Sequence, residues 1–537
     1  MQDGSDSSDW KAGRVGWRCR VAAAIVLAPA CMLAAVPAAG AGTSSEFIYE
    51  WNDTALDVLR LINIRNDPDQ FEHIGGDNPP QSGRLLAMLH GASYDAVHGL
   101  TGELSTYRMP AAAAGGGASI EAALMEASYT VLDGLFAEGT HLIPADEFGD
   151  RLNSARGMIS SRWQTQFVEL IDRVDAGAMT QTELDLGRAW GAEVGEAMLA
   201  WRADDGAAEA AIAWEDSTQL GEYRTDLFTP DADDPAAEPA YGGVAPFALD
   251  DVRQFDIEAP LALDSARWQA DLDEVRELGR RDRYLTDDLS GEAEEHYRTA
   301  FFWAAKGLNP DGSKTATGTV TPAGEWLRIA QSVAQERSLD LEASARLFGL
   351  LSLAMHDTTL ATWDGKYDHN LWRPIHAIRE GLEAGDPDAD WLPLIPTSMH
   401  PEYPSGHSSI SGAAATILAD FFGTDAVTFM ASGDDAIDGE VREFDSFWAA
   451  AEEAAMSRVY GGIHYRFTND VSLELGRQIA EHVVATHMVP EPGTLGLVAV
   501  GAMLMLRRGI SRRGRGGRGV WRGVAGDDGV VGGGWVR

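Results

Sequence analysis

Apolar residues recurring every three or four positions constrain this chain more than any other feature. Leu341, Ala345, Phe348, Leu351 and Met355 form one such stripe, and Leu186, Trp190, Val194, Ala197, Met198 and Trp201 form another. Ile410, Ala414, Ile417, Leu418 and Phe421 continue the pattern directly after a Pro-Ser-Gly-His stretch. That spacing puts apolar side chains on one helical face, whereas the alternation of a half-buried strand is hard to find. The pattern predicts an all-α protein. At 537 residues the chain is too long for one ordinary domain. The irregular part, 204–260, contains the acidic, proline-rich piece Pro230-Asp231-Ala232-Asp233-Asp234-Pro235 and reads as a connector. It separates an N-terminal helical half, 45–203, from a C-terminal half, 261–487.

A faint echo links the halves. Leu86-Ala87-Met88-Leu89-His90 is similar to Leu353-Ala354-Met355-His356, and each run continues into a helix bearing an acid, Asp95 and Asp364 respectively. Any two core helices share Leu, Ala and Met, so one match does not establish a repeat.

With 42 basic and 83 acidic residues the formal charge is −41. Phosphate backbones need basic surfaces, so this balance argues against a nucleic-acid partner. A site for a small anion must therefore gather cations locally, against the field of the whole molecule. The two cysteines, Cys19 and Cys31, both lie in the first segment. There Arg14, Arg18 and Arg20 precede an apolar run, Val21 to Val36, and then small residues through Ala41. This is the layout of a secretory signal peptide over 1–41, whose removal leaves a mature chain without thiols. At the other end, Val489-Pro490-Glu491-Pro492-Gly493 is followed by an apolar stretch, Thr494 to Leu506, and by Arg507, Arg508, Arg512, Arg513, Arg515 and Arg518. This segment, 489–518, resembles the PEP-CTERM sorting tag of bacterial surface proteins. The resemblance implies export to the cell surface or beyond, with exosortase-type machinery as a partner. A Gly/Arg-rich tail fills 519–537.

Three segments of the C-terminal half carry chemistry in combination. They are Lys366-Tyr367-Asp368-His369-Asn370-Leu371-Trp372-Arg373-Pro374, then Pro404-Ser405-Gly406-His407, then Ser457-Arg458-Val459-Tyr460-Gly461-Gly462-Ile463-His464. Alone, a Lys or Arg is usually a solvated surface charge. Together, Lys366, Arg373 and Arg458 supply three cations, and guanidinium forks match the oxygens of an oxyanion. Gly406 permits close approach of a backbone N–H, Ser405 adds a hydroxyl, and the helix beginning there would aim its N-terminus at the anion. His407 and His464 remain, one able to bond a central atom and the other to pass protons. His90, His98, His356, His369 and His376 form no familiar metal-ligand spacing.

These segments, with spacers of 29 and 49 residues, resemble the signature shared by vanadium-dependent haloperoxidases and type 2 phosphatidic acid phosphatases. Trp51-Asn52-Asp53, the run Met88 to Val97, Pro246-Phe247, Phe302-Trp303 and Trp363-Asp364-Gly365 look like bacterial haloperoxidases. The resemblance thus covers about 45–487 and implies two packed helical bundles, with the oxyanion pocket in the C-terminal four-helix bundle. It implies vanadate as cofactor, with His464 as the axial vanadium ligand and Lys366, Arg373, Ser405, Gly406 and Arg458 on its oxygens. His407 would be the acid–base residue. The substrates would be hydrogen peroxide, a halide and an organic acceptor, and a homo-oligomer is in keeping with the family. His400, seven before His407, looks like the bromo- or iodoperoxidase pattern, and Trp363 resembles a pocket wall.

The match departs from the family in two places. The signature sets an Asp four after the second histidine, where this chain has Thr468. Asp470, Asn469 or a backbone carbonyl must then orient His464, or the site is weakened. Ser398-Met399-His400 also replaces the run usual in bacterial members. Two rival readings share the residues: an acid phosphatase with His464 as nucleophile, and a surface matrix protein that keeps the fold without turnover.

Overall fold

The computed structural model describes residues 44–488, apart from 63–78, 103, 110–116, 138–148, 227, 229–235, 287, 308–317 and 382–386. The expected signal peptide, sorting tag and Gly/Arg-rich tail lie outside the described residues. Among these residues there are thirteen α-helices, and none is long and apolar enough to cross a membrane.

The first bundle comprises α1 (Glu46–Ile62), α2 (Pro79–Thr101), α3 (Ile120–Leu135), α4 (Gly149–Asp175) and α5 (Gln181–Arg202). Thr180 and Glu183 form a reciprocal capping box at the start of α5. A glycine every fourth residue then lets α5 lie directly on α3. A Cβ at Gly187 would sit 2.3 Å from the Ser119 carbonyl oxygen, and one at Gly191 2.2 Å from that of Ala123.

After the connector come α6 (Ala266–Leu278), α7 (Gly291–Phe302), α8 (Thr321–Glu336), α9 (Leu341–His369), α10 (Pro374–Glu380), α11 (Gly406–Phe422), α12 (Phe447–Tyr460) and α13 (Arg466–Thr486). The 29-residue α9 is capped by Asp340, whose carboxylate accepts the Ala343 N–H at 2.8 Å. It ends at Asn370 in the left-handed conformation. Its middle is buried on all sides, as expected of a helix surrounded by others. It packs on α2 from the first bundle and on α8, α11 and α13 from the second. One apolar core therefore runs through both bundles, from Trp51 and Leu86 to Phe348, Leu351 and Ile417.

The all-α expectation has one exception, an antiparallel hairpin of β1 (Phe429–Ser432) and β2 (Val441–Phe444), with Phe429 opposite Phe444. Four-residue strands give too short an alternation to read from sequence.

The connector is stitched to the core by its backbone. Phe247, Ala248 and Leu249 donate their N–H groups to the buried Asp357 carboxylate at 2.6–2.8 Å. Asp95 on α2 likewise accepts from Tyr107, Arg108 and Met109. The acid that matches Asp95 in this role is Asp357. Asp364 instead pairs with Arg253 at the surface, 2.7 Å away. Asp357 and Asp364 both lie on α9.

Candidate active site

The residues singled out in the sequence stand where several chain ends converge. Trp363 and Lys366 lie in the last turns of α9, and Arg373 immediately precedes α10. Ser405 caps α11, and Gly406 and His407 open it. Arg458 is in the last turn of α12, and His464 lies in the tight loop before α13. Glycines make that loop compact. Gly462 has φ +80, and a Cβ there would lie 2.6 Å from the Gly279 carbonyl oxygen. A second close contact holds α11 on α13, since a Cβ at Gly476 would fall 2.0 Å from the Ser409 carbonyl oxygen.

Trp363, His400, Gly406, His407 and His464 line one cavity. Lys366, Arg373, Ser405 and Arg458 are fully buried beside it. Arg373 ties the group together. Its Nη1 approaches His464 Nε2 at 3.1 Å and its Nη2 approaches His400 Nδ1 at 3.0 Å, while Nε donates to the His400 carbonyl at 2.9 Å. Lys366 Nζ donates to the carbonyls of Pro401, Glu402 and Pro404. Arg458 Nη2 donates to the Trp303 carbonyl at 2.8 Å.

The partner of His464 is one that sequence reasoning missed. Its Nδ1 lies 2.8 Å from Glu402 Oε1, which also accepts the Tyr465 N–H at 3.0 Å. Thr468 donates its hydroxyl to Glu402 Oε2 at 2.9 Å. A carboxylate receiving these bonds holds the proton on Nδ1. Guanidinium can only donate, so the Arg373 contact agrees in leaving the lone pair on Nε2. Thus Thr468 replaces the expected Asp by anchoring a carboxylate from another segment. Neither Asp470 nor Asn469 serves: Asp470 pairs with Arg267 at 3.0 Å, and Asn469 bonds Ser408 and the Ala455 carbonyl. The available signal was an acid between His400 and the Pro-Ser-Gly-His stretch, in a chain lacking the usual Asp.

Burial dominates the electrostatics. It holds Lys366 well below its ordinary range, aided by the charge of Arg373, and brings Arg373 itself down to about 10. Burial, then Arg373 and Lys366, keep His464 neutral. Burial, then Arg458, Lys306 and Lys366, do the same for His407. Glu402 is pushed up to about 7 by burial, with Arg373 opposing. So many buried cations beside one carboxylate are costly unless an anion compensates them.

The cluster suits a vanadate-sized oxyanion on three counts. His464 Nε2 has the lone pair a metal ligand needs. His407 Nε2 is buried with no hydrogen-bond partner in the protein. A Cβ on Gly406 would meet only the Trp363 ring, at 3.5 Å, so the packing itself does not demand a glycine there. Other histidines singled out in the sequence have partners away from this cavity: His90 stacks on Phe348 and faces Asn52, His98 faces the Glu342 carbonyl, and His376 pairs with Asp226.

The chain is also similar to known proteins. Residues 346–490 match the VCPO second helical-bundle domain. The chain is 23% identical to the vanadium chloroperoxidase of Curvularia inaequalis over 514 residues, covering 79% of each chain. It is 31% identical over 117 residues to the vanadium-dependent bromoperoxidase of Corallina pilulifera, covering 19% of this chain and 20% of that one. The structure of a bacterial vanadium-dependent iodoperoxidase superposes with a TM-score of 0.65 at 25% identity, over 84% of this chain and 99% of the other. A bacterial vanadium-dependent chloroperoxidase shares the fold with a TM-score of 0.51 at 16% identity, over 76% and 92%.

Proposed function

We propose that this chain, a member of the vanadium haloperoxidase family, uses hydrogen peroxide to oxidise bromide or iodide to a hypohalous species that halogenates organic acceptors. The observation that carries this reading is the lone-pair nitrogen His464 Nε2, fixed by Glu402 and Arg373 among buried cations. Vanadate, when bound, supplies a Lewis acid that polarises peroxide without changing oxidation state.

The remaining chemistry belongs to the chain. His464 Nε2 would hold the vanadium, and the Glu402–Thr468 pair would hold its ring. Lys366, Arg373, Arg458, Ser405 and the first amides of α11 would hold the oxygens and balance their charge. His407, kept neutral by burial, can accept a proton from incoming peroxide at Nε2 and return it. Trp363, Pro322, Ile410 and Ile463 give the cavity apolar walls. The His400 ring lies 5.0 Å from that of Trp363, and this polar wall favours bromide or iodide in our reading. The basic–apolar N-terminal segment and the Pro-Glu-Pro tag support export and sorting of the mature chain.

The test is peroxide-dependent bromination and iodination of a phenol dye, on apoprotein before and after orthovanadate. Activity appearing only with vanadate, and inhibited by phosphate, is expected. Hydrolysis of a phosphate ester by the apoprotein, without vanadate-dependent halogenation, would move the same residues to phosphatase chemistry. Absence of both activities would favour a non-enzymatic surface role.

A further inference from the structure

Besides the three cations buried next to it, the cavity has a lysine in its own wall, Lys306. Lys306 is 3% exposed and lies on the turn that follows α7. That turn is bound to the site residue by residue. The Trp303 carbonyl accepts from Arg458, and the Ala304 carbonyl faces the His407 ring. Ala305 adopts φ +49, a left-handed conformation that costs energy in a non-glycine residue. The N–H groups of Lys306 and Gly307 then both donate to the buried Asp435 carboxylate, at 2.6 and 3.0 Å. Beyond this bend, Lys306 Nζ donates to Ser398 Oγ at 2.6 Å.

We infer that Lys306 is the halide-binding residue of this pocket, its ammonium attracting bromide or iodide to the space between Ser398, His400, Trp363 and His407. The inference rests on the haloperoxidase reading and deepens it.

Three observations support it. The first is composition: the chain has only four lysines, Lys11, Lys306, Lys314 and Lys366. Two of these four, Lys306 in the pocket wall and Lys366 buried nearby, act on His407, in a chain whose other cations are arginines. The second is shape. A guanidinium fork matches the paired oxygens of an oxyanion, whereas a halide is a sphere with no direction to match, which suits a point charge. The third is position. The Lys306 charge acts on His400 and His407, whereas His464 responds to Arg373, Lys366 and Arg458. The Lys306 Nζ contact with Ser398, two residues before His400, puts this charge on the His400 wall of the pocket. The neighbouring surface suits a large, polarisable anion, because Trp363 offers an indole face. His400 adds a polar edge to that surface, its Nδ1 lying between Arg373 Nη2 at 3.0 Å and the Pro401 carbonyl at 3.2 Å.

The experiment compares the vanadate-loaded parent with Lys306→Met and Lys306→Arg. Anomalous diffraction from bromide-soaked crystals reads occupancy directly, kinetics separate KM for bromide from kcat, and equilibrium titration gives the orthovanadate Kd. Circular dichroism and melting confirm that the variants are folded. In the parent a bromide peak is expected in contact with Lys306, and Lys306→Met should lose it. KM for bromide should rise at least about tenfold, as loss of a close charge in a buried site implies. The vanadate Kd should stay within about threefold, and Lys306→Arg should restore part of the halide affinity. A bromide peak only elsewhere, or an unchanged KM in Lys306→Met, would overturn the inference while leaving the enzyme a haloperoxidase. An unchanged KM with a vanadate Kd weakened at least tenfold would assign Lys306 to the oxyanion instead. If the vanadate-loaded parent oxidises no halide, the underlying reading fails and this inference falls with it.

Discussion

Glu402 shows how one residue can hide from its sequence context. Lys366, Arg373, Ser405, Gly406, His407, Arg458 and His464 were legible because their types and order match a chemical need for anion binding. Glu402 was not, because its partner Thr468 is 66 positions away and no local pattern links an acid to a distant hydroxyl. Replacing Glu402 with Gln should weaken vanadate binding by about 10- to 100-fold, the usual cost of losing the group that orients a ligating histidine. Titration of apoprotein with orthovanadate checks this, and an unchanged affinity would show that His464 needs no carboxylate. A second buried acid gives a pH prediction. Glu325 is buried without hydrogen-bond partners for either oxygen, and burial pushes it up to about 8. It is protonated when folded and ionised when unfolded between about 4.5 and 8. The folded state thus binds more protons, and this residue's contribution to stability falls as pH rises through that window. In urea unfolding from pH 5 to 9, Glu325→Gln should gain on the parent with rising pH, by a few kcal/mol in all. A pH-independent difference would contradict it.

At the level of elements, α5, α9 and α11 were readable from their apolar stripes, and the structure adds the caps Asp340 on α9 and Ser405 on α11. The turn 303–306 was not readable: it has no periodicity, and its role comes from contacts with Arg458, His407 and Asp435. The hairpin was too short to announce itself. How closely α11 lies on α13 was equally invisible, since a glycine in a helix reads as a weak residue until its neighbour is known. Gly476→Ala should push these helices apart and destabilise the fold by about 1–3 kcal/mol, the usual cost of overpacking. Because α11 begins with the Ser405-Gly406-His407 stretch, vanadate affinity should fall as well. Denaturant unfolding and vanadate titration measure both, and an unaltered protein would show that the contact relaxes freely.

Across the whole molecule, a chain of formal charge −41 gathers Lys306, Lys366, Arg373 and Arg458 in one buried place. An anion there offsets their mutual repulsion and should raise the protonation of groups now held low. Calorimetric titration with inorganic phosphate, in buffers of different ionisation enthalpy near neutral pH, should therefore show net proton uptake. Lys366, His407 and His464 all start with depressed proton affinity, and net release would contradict this account. The melting temperature should rise with the anion concentration, as for any ligand that binds only the folded state. The all-α class was visible in the sequence as helical stripes, whereas the two packed bundles were implied by the family resemblance. The union of both halves into one core through α2 and α9 was not, since each half has apolar stripes that could have closed on themselves.

The most direct test is a crystal structure of the protein loaded with orthovanadate, refined with the vanadium anomalous signal. The expected result is vanadium bonded to His464 Nε2, with its oxygens held by Lys366, Arg373 and Arg458 and Glu402 still on Nδ1. Vanadium bound elsewhere, or no binding by folded protein at millimolar vanadate, would contradict the assignment of this cluster as a haloperoxidase centre.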